Sequence, residues 1–318
     1  MTDMNRPSRR GRGKAKATME LIEAAYQIAM DCEPIPVRGI CYKLFTMGLI
    51  ASMAKSQTDK ISRHVTWARE QGIIKWEWIA DETREVERVN TWSSPDQIIN
   101  AAVASYRRDY WKEQPHWIEV WSEKGTVRGV LRPVLEQYGV SFRVMHGFGS
   151  ATALHDFADE VSRSNKPLTV LYIGDFDPSG MCMSVLDIPS RLARYGVDMV
   201  DCLPQYGGQA IIKRIALTEP DLPGLPSFPA IAKKDDTRYR WFVEQYGHQC
   251  WELDAMDTNI LRERIEGEIR SYIDPVAWDR AIEVEAVEVE SMHEFHAAWN
   301  QSISRQAAKY SGEVTRHG

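Results

Sequence analysis

No Cys-x-x-Cys pair occurs in this 318-residue chain, and its five cysteines, Cys32, Cys41, Cys182, Cys202 and Cys250, are scattered. That spacing speaks against a structural zinc site and against a disulfide framework, and it fits a reducing cytoplasm. No apolar run is long enough to span a bilayer. The charges in Met19-Glu20-Leu21-Ile22-Glu23 interrupt the apolar region that a signal peptide would need, so a cytoplasmic, membrane-free protein is expected. There is no Gly-x-x-x-x-Gly-Lys segment, hence no P-loop ATPase in the chain itself. Internal repeats are lacking, and excess positive charge is lacking too: the formal net charge is −6. A nucleic-acid partner therefore has no support from the overall balance.

The distribution of charge is a different matter. Arg6-Pro7-Ser8-Arg9-Arg10-Gly11-Arg12-Gly13-Lys14-Ala15-Lys16 is a basic arm without an apolar face. It is expected to be disordered over residues 1–17, and Arg9, Arg10 and Arg12 suit the phosphates of nucleic acid. A solubilising tail has the same composition. The remaining composition, 43% hydrophobic and 26% charged, is that of an ordinary globular protein large enough for an α/β domain and a smaller one.

Periodicity divides the chain. Helical spacing is expected over 18–31, 37–47 (opened by Pro36) and 58–71, the last capped by Gly72. Ile73 to Ile79 alternates like one strand of a small hairpin. Three helices followed by a β-ribbon is the layout of an α+β winged-helix domain, assigned to residues 18–92. Its third helix would offer Lys60 and Arg63 to a DNA groove, and a generic helical cap is the competing reading. A connecting helix is expected in 93–116, from Pro95 to Tyr110. From Trp117 onward strands and helices alternate: strands at 117–121, 141–145, 168–173 and near 198–203, with helices at 126–138, 151–162 and 182–195. That pattern predicts a parallel sheet covered by helices. Residues 219–229 read as an ordered loop. Helices at 258–273 and 277–310 would form a C-terminal helical extension within a domain spanning 117–318.

Chemistry concentrates at two strand ends. The run Leu168 to Ile173 reads as a doubly buried strand and ends in Gly174-Asp175-Phe176-Asp177-Pro178-Ser179-Gly180. In extended backbone the i and i+2 carboxylates face one spot, where they repel unless a cation lies between them. Oxygen ligands of this kind suit Mg²⁺. Asp, Pro, Ser and Gly are equally the residues of an ordinary turn. Glu123 ends another predicted strand, and with Asp175 and Asp177 it makes a plausible acidic cluster for one or two Mg²⁺ ions in phosphoryl transfer. Lys124 would add a fixed positive charge against a phosphate.

This combination resembles the Toprim domain of topoisomerases, primases and some nucleases. More specifically it resembles the A subunit of type IIB topoisomerases (topoisomerase VI) and the related meiotic double-strand-break transesterase. The resemblance rests on Glu123-Lys124, on Asp175 through Gly180, on Gly147-Phe148-Gly149 before a helix, and on Trp251 through Met256. It implies a winged-helix domain followed by Toprim, and a nucleophilic tyrosine within an Arg-x-x-aromatic-Tyr pattern. Arg38-Gly39-Ile40-Cys41-Tyr42 is similar to that pattern, with Cys41 in place of the first aromatic. On a helix Arg38 and Tyr42 are i, i+4 neighbours, which lets the guanidinium grip a phosphate or a developing phenolate. The apolar neighbours of Tyr42 allow a plain core tyrosine as well.

The resemblance implies Mg²⁺-dependent cleavage of double-stranded DNA by a homodimer associated with the nucleoid, the tyrosine of one subunit working with the acids of the other. A true topoisomerase would also need a separate ATPase (B-type) subunit. Two other functions fit the same residues: a Toprim nuclease that hydrolyses DNA with metal-activated water, and a non-catalytic DNA-binding protein that keeps only the fold.

Overall fold

The computed structural model describes residues 16–80, 91–145, 151–200 and 208–314. The basic arm with Arg9, Arg10 and Arg12, the Gly147-Phe148-Gly149 loop and the second half of the strand expected near 198–203 lie outside the described residues. Among those described, no helix is long and apolar enough to cross a membrane.

Helices α1 (Lys16–Cys32), α2 (Val37–Thr46) and α3 (Lys55–Glu70) pack around Ile22, Ala25, Ile40, Leu44, Ile61, Val65 and Ala68. Each helix contributes apolar side chains three or four positions apart, the spacing that builds one stripe. Gly72 follows α3 with φ of 72°, the left-handed geometry that ends a helix and that glycine adopts without a Cβ penalty. The expected hairpin strand at 73–79 is not formed. Residues Trp76–Trp78 make a short 3₁₀ turn instead, followed by one parallel bridge between Ile79 and Ile35. The alternating pattern that suggested a strand has another cause. Trp78 turns inward to Tyr26, with ring centroids 5.6 Å apart, while Trp76 stays exposed under the Arg69 guanidinium at 4.2 Å.

The connecting helix α4 runs only from Pro95 to Ser105 and is capped by Ser94, whose side chain accepts from Gln97. It stops short of Tyr110 because Tyr106 and Arg108 turn towards the last helix. There the Tyr106 hydroxyl donates to Glu288 at 2.6 Å, and the Arg108 backbone N–H donates to Glu285 at 2.7 Å.

Beyond it lies a four-stranded, wholly parallel sheet of order β2-β1-β3-β4: β1 (Trp117–Ser122), β2 (Ser141–Val144), β3 (Leu168–Ile173) and β4 (Ala210–Ala216). Helices α5 (Thr126–Tyr138) and α6 (Ala151–Arg163) connect the first three strands. After β3, α7 (Pro178–Cys182) passes through a π-type turn at Met183–Asp187 into α8 (Ile188–Arg194), so this helix starts four residues earlier than 182. The fourth strand is Ala210–Ala216. Around the expected strand at 198–203, the described residues supply only one bridge, between Met199 and Ala210. All six β3 residues are buried, as a central strand covered on both faces requires.

The 219–229 loop ends in β5 (Ser227–Pro229), which pairs antiparallel with β6 (Gln249–Trp251) across helix α9 (Tyr239–Tyr246). Helices α10 (Thr258–Ser271) and α11 (Pro275–Val314, one continuous helix of 40 residues) complete the chain. Helix α10 joins the two halves. Its first residue, Thr258, donates to Cys32 O at 3.0 Å, and Arg262 reaches Pro34 O at 3.2 Å.

Candidate active site

The parallel register sets the site. Ser122 pairs with Ile173, so β1 and β3 end level, and Glu123 leaves the sheet beside Gly174-Asp175. The turn after β3 is built by its own residues. Asp177 is the N-cap of α7, its Oδ1 accepting from Gly180 N at 2.8 Å, and Pro178 occupies the first turn, where its missing N–H costs nothing. Gly180 is required by close approach, because a Cβ there would stand 2.3 Å from Asp175 O. The turn reading of this motif is therefore correct as far as it goes, and it accounts for one of the two Asp177 oxygens.

Asp175 Oδ1 and Asp177 Oδ2 face cations, and Asp175 Oδ1 an N–H group as well. Asp175 Oδ1 accepts from Lys124 Nζ at 2.8 Å and from Leu253 N at 2.7 Å. Lys124 also reaches Asp254 Oδ2 at 3.0 Å. Burial opposes the charge on Lys124, but Asp254 and Asp175 outweigh it and hold its pKa above the ordinary lysine range. Asp177 Oδ2 pairs with Lys233 at 3.2 Å.

Glu123 differs. Its Oε2 is buried without a hydrogen-bond partner. Burial first, then the charges of Asp175 and Asp177, raise its pKa above the usual carboxylate range. Three acids thus share one neighbourhood, and one of them carries an unsatisfied oxygen. As they stand, no three His, Cys, Asp or Glu side chains among the described residues converge closely enough to hold one ion.

Tyr42 and Arg38 sit one turn apart on α2, with the guanidinium 5.7 Å from the ring centroid. Tyr42 is buried, at 5% exposure. Burial above all, and then the charge of the neighbouring Glu252 carboxylate, raise its pKa; Arg38 pulls the other way. Arg38 Nε donates to Glu252 Oε2 at 2.6 Å and lies 3.5 Å from Asp254 Oδ2. The i, i+4 geometry expected from sequence is present, with Arg38 already engaged by acids of the same chain.

Residues 252–254 connect the two halves. Glu252 holds Arg38, Leu253 N binds Asp175, and Asp254 bridges Arg38 and Lys124. A continuous network thus runs from Glu252 through Arg38, Asp254 and Lys124 to Asp175, with the Tyr42 ring beside the Arg38 guanidinium. Lys60 and Arg63 lie elsewhere, on the exposed side of α3.

Sequence reasoning missed Glu252, Asp254, Lys233 and Arg214 as site residues. The first two follow a short strand, Gln249–Trp251, and alternate with apolar neighbours, a signal that was available. For Lys233 and Arg214 the sequence carried no signal. Compared with protein-family models and with the curated proteins, the chain matches none.

Proposed function

We propose that this chain is a Toprim-type, Mg²⁺-dependent DNA-cleaving transesterase, resembling the A subunit of a type IIB topoisomerase, with α1–α3 serving as its winged-helix domain. The observation that carries the proposal is the network of side chains from Glu252 through Arg38, Asp254 and Lys124 to Asp175, with Tyr42 against Arg38. A nucleophile candidate, its cationic neighbour and an acidic cluster are joined through three consecutive residues, Glu252 to Asp254.

Glu123, Asp175 and Asp177 would hold the metal, for which the unpartnered Glu123 Oε2 and the mutual repulsion of the three acids are the fitting features. Bound there, Mg²⁺ would neutralise charge on the scissile phosphate. The remaining work belongs to the chain's own groups. Tyr42 Oη forms a bond to phosphorus as the bond from phosphorus to a sugar oxygen breaks. The phenolic proton passes to the Glu252 carboxylate, and the leaving oxygen departs as a hydroxyl after taking up one proton from water. One phosphodiester is exchanged for another, so the break is reversible without an energy source. Arg38, once released from Glu252, supplies a bidentate grip on the phosphate, and Lys124 fixes Asp175. Lys60, Arg63 and the arm residues Arg9, Arg10 and Arg12 would hold double-stranded DNA. A homodimer would cut both strands, and strand passage would need the separate ATPase subunit.

One observation favours a second reading. Tyr42 is buried, whereas a hydrolytic nuclease working with metal-activated water at the same acids needs no exposed tyrosine. A single experiment separates the two. Supercoiled plasmid is incubated with the protein and Mg²⁺, quenched with detergent, and run with and without protease. Transesterase action predicts cleaved DNA that enters the gel only after proteolysis, and loss of cleavage in Tyr42→Phe. Cleavage by Tyr42→Phe at the wild-type rate would leave hydrolysis as the activity.

A further inference from the structure

We propose that Lys233 is an exchangeable counter-ion of Asp177 that competes with a divalent cation for the acidic cluster, an inference that rests on the metal reading given above. The two lysines at this site differ in ways that assign them different roles. Lys124 is the more enclosed, with 23% side-chain exposure, and it is fixed by two carboxylates, Asp175 and Asp254. Lys233 is 43% exposed and, among the described residues, makes one ion pair, to an Asp177 side chain that is itself only 4% exposed. A buried carboxylate needs a cation beside it, and this one is supplied from the rim by a long, flexible stem.

The delivery of Lys233 is built into the fold. It ends a 3₁₀ turn, Ala230–Lys233, whose first residue is fully buried and donates from its backbone to His248 O at 2.8 Å. That turn follows β5 directly, and β5 pairs with β6 through Phe228 and Cys250. Trp251, the last residue of β6, exchanges backbone hydrogen bonds of 2.9 and 3.0 Å with Phe176, the residue between the two aspartates. The base of Lys233 is thereby held to the Asp-x-Asp turn, and its ammonium is the freer part.

Asp177 Oδ1 is committed to the α7 cap, so Oδ2 is the oxygen through which Asp177 would reach a metal, and Lys233 holds it. An ammonium at that oxygen and a divalent cation shared with Asp175 and Glu123 repel each other, so each must weaken the other's binding. Lys233 would keep Asp177 neutralised until an ion arrives and would discriminate against ions bound too weakly to displace it.

The test is a titration of the full chain with Mn²⁺, free Mn²⁺ being read by electron paramagnetic resonance. Removing the competitor in Lys233→Gln, or independently in Lys233→Ala, is expected to tighten Mn²⁺ binding about twofold to fivefold, as for loss of one half-exposed ion pair. Lys233→Arg, which keeps the charge, is expected to bind as wild type does, and Glu123→Gln to bind more weakly. If wild type binds Mn²⁺ and Glu123→Gln weakens it, but neither Lys233→Gln nor Lys233→Ala tightens it, Lys233 is no competitor and this inference falls alone. If wild type takes up no Mn²⁺, or Glu123→Gln changes nothing, the acids are not the metal site and both readings fall.

Discussion

Arg214→Met should unfold this protein's site before it touches any proposed catalytic group. Arg214 stands on β4 opposite Tyr172, over whose ring its guanidinium lies at 5.5 Å from the centroid. A guanidinium has five N–H donors, and all five are used. Nε–H donates to Leu217 O at 2.7 Å; one NH₂ group donates to Gly180 O at 3.0 Å and Ser184 Oγ at 2.8 Å; the other donates to Gly174 O at 2.8 Å and to Asp175 O. These acceptors lie on both sides of Phe176 and in the first turns of the following helix, so one side chain braces the whole Asp-x-Asp turn. Methionine fills similar length and satisfies none of them. Gly174 O keeps the Leu217 N–H and Gly180 O the Ser184 hydroxyl, so only the acceptors left without a donor cost about 1–3 kcal/mol each, and losing a desolvated cation offsets part of the sum. The net expectation is a destabilisation of about 4 kcal/mol. Lysine, with three donors, can serve at most three of the five acceptors and should lose about half as much. Urea unfolding followed by tryptophan fluorescence measures both, as a shift in midpoint at constant slope. Arg214→Met losing less than about 1 kcal/mol, or Arg214→Lys losing as much as Arg214→Met, would refute the bracing argument.

The other expectations are briefer. Glu123→Gln should stabilise the protein at neutral pH and flatten its pH dependence. Because the folded pKa of Glu123 is raised, first by burial and then by Asp175 and Asp177, the native state holds the proton more tightly, and wild-type stability falls as pH rises from the unfolded value through the folded one. Equal slopes for the two proteins, in denaturant melts across that window, would contradict this. Gly180→Ala should cost about 2 kcal/mol or more and weaken Mn²⁺ binding, since the added methyl meets Asp175 O at 2.3 Å and the contact is backbone on both sides; thermal melts and the Mn²⁺ titration read the two effects. Arg143→Met should cost about 1.5–3 kcal/mol, because it leaves Glu119, at 3% exposure in the middle of β1, with only the Trp121 indole N–H at 2.6 Å in place of two further charged hydrogen bonds at 3.1 and 3.2 Å. Urea melts would show it, and a change under about 0.5 kcal/mol would count against the pairing.

Much of the layout was legible because local periodicity and tertiary burial agree. Helices α1, α2, α10 and α11, strands β1 and β3, and the acids at the strand ends all stand within a few residues of where spacing puts them. The failures have identifiable causes. Strand β4 reads Ala210-Ile211-Ile212-Lys213-Arg214-Ile215-Ala216, and its two adjacent basic residues break the apolar run that marks a buried parallel strand. Arg214 is buried because five acceptors from other segments meet it, and no local pattern announces that. The turn at Trp76–Trp78 read as a strand because one tryptophan faces in and the other out, which a 3₁₀ turn achieves too. Residues 252–254 belong to a stretch that carries the resemblance, but their bonds to Arg38, Asp175 and Lys124 span more than 70 positions in sequence, beyond the reach of spacing arguments.

Phe176 explains why two aspartates one residue apart face the same way here. Its backbone is extended, paired antiparallel with Trp251, and its side chain, at 2% exposure, enters a cluster of Phe242, Tyr246 and Trp251 with ring centroids 5.4 to 5.9 Å apart. Burying an aromatic ring on one face of an extended segment sends its two neighbours to the other. The acids are thus aimed by the hydrophobic residue between them, and that residue is held by a strand 75 positions later, Trp251 against Phe176. The same strand carries Glu252 to Arg38 and Asp254 to Lys124. Weakening the Phe176 cluster should therefore disturb the Asp-x-Asp pair and the surroundings of Tyr42 together, although neither set of residues contacts the other directly through that ring.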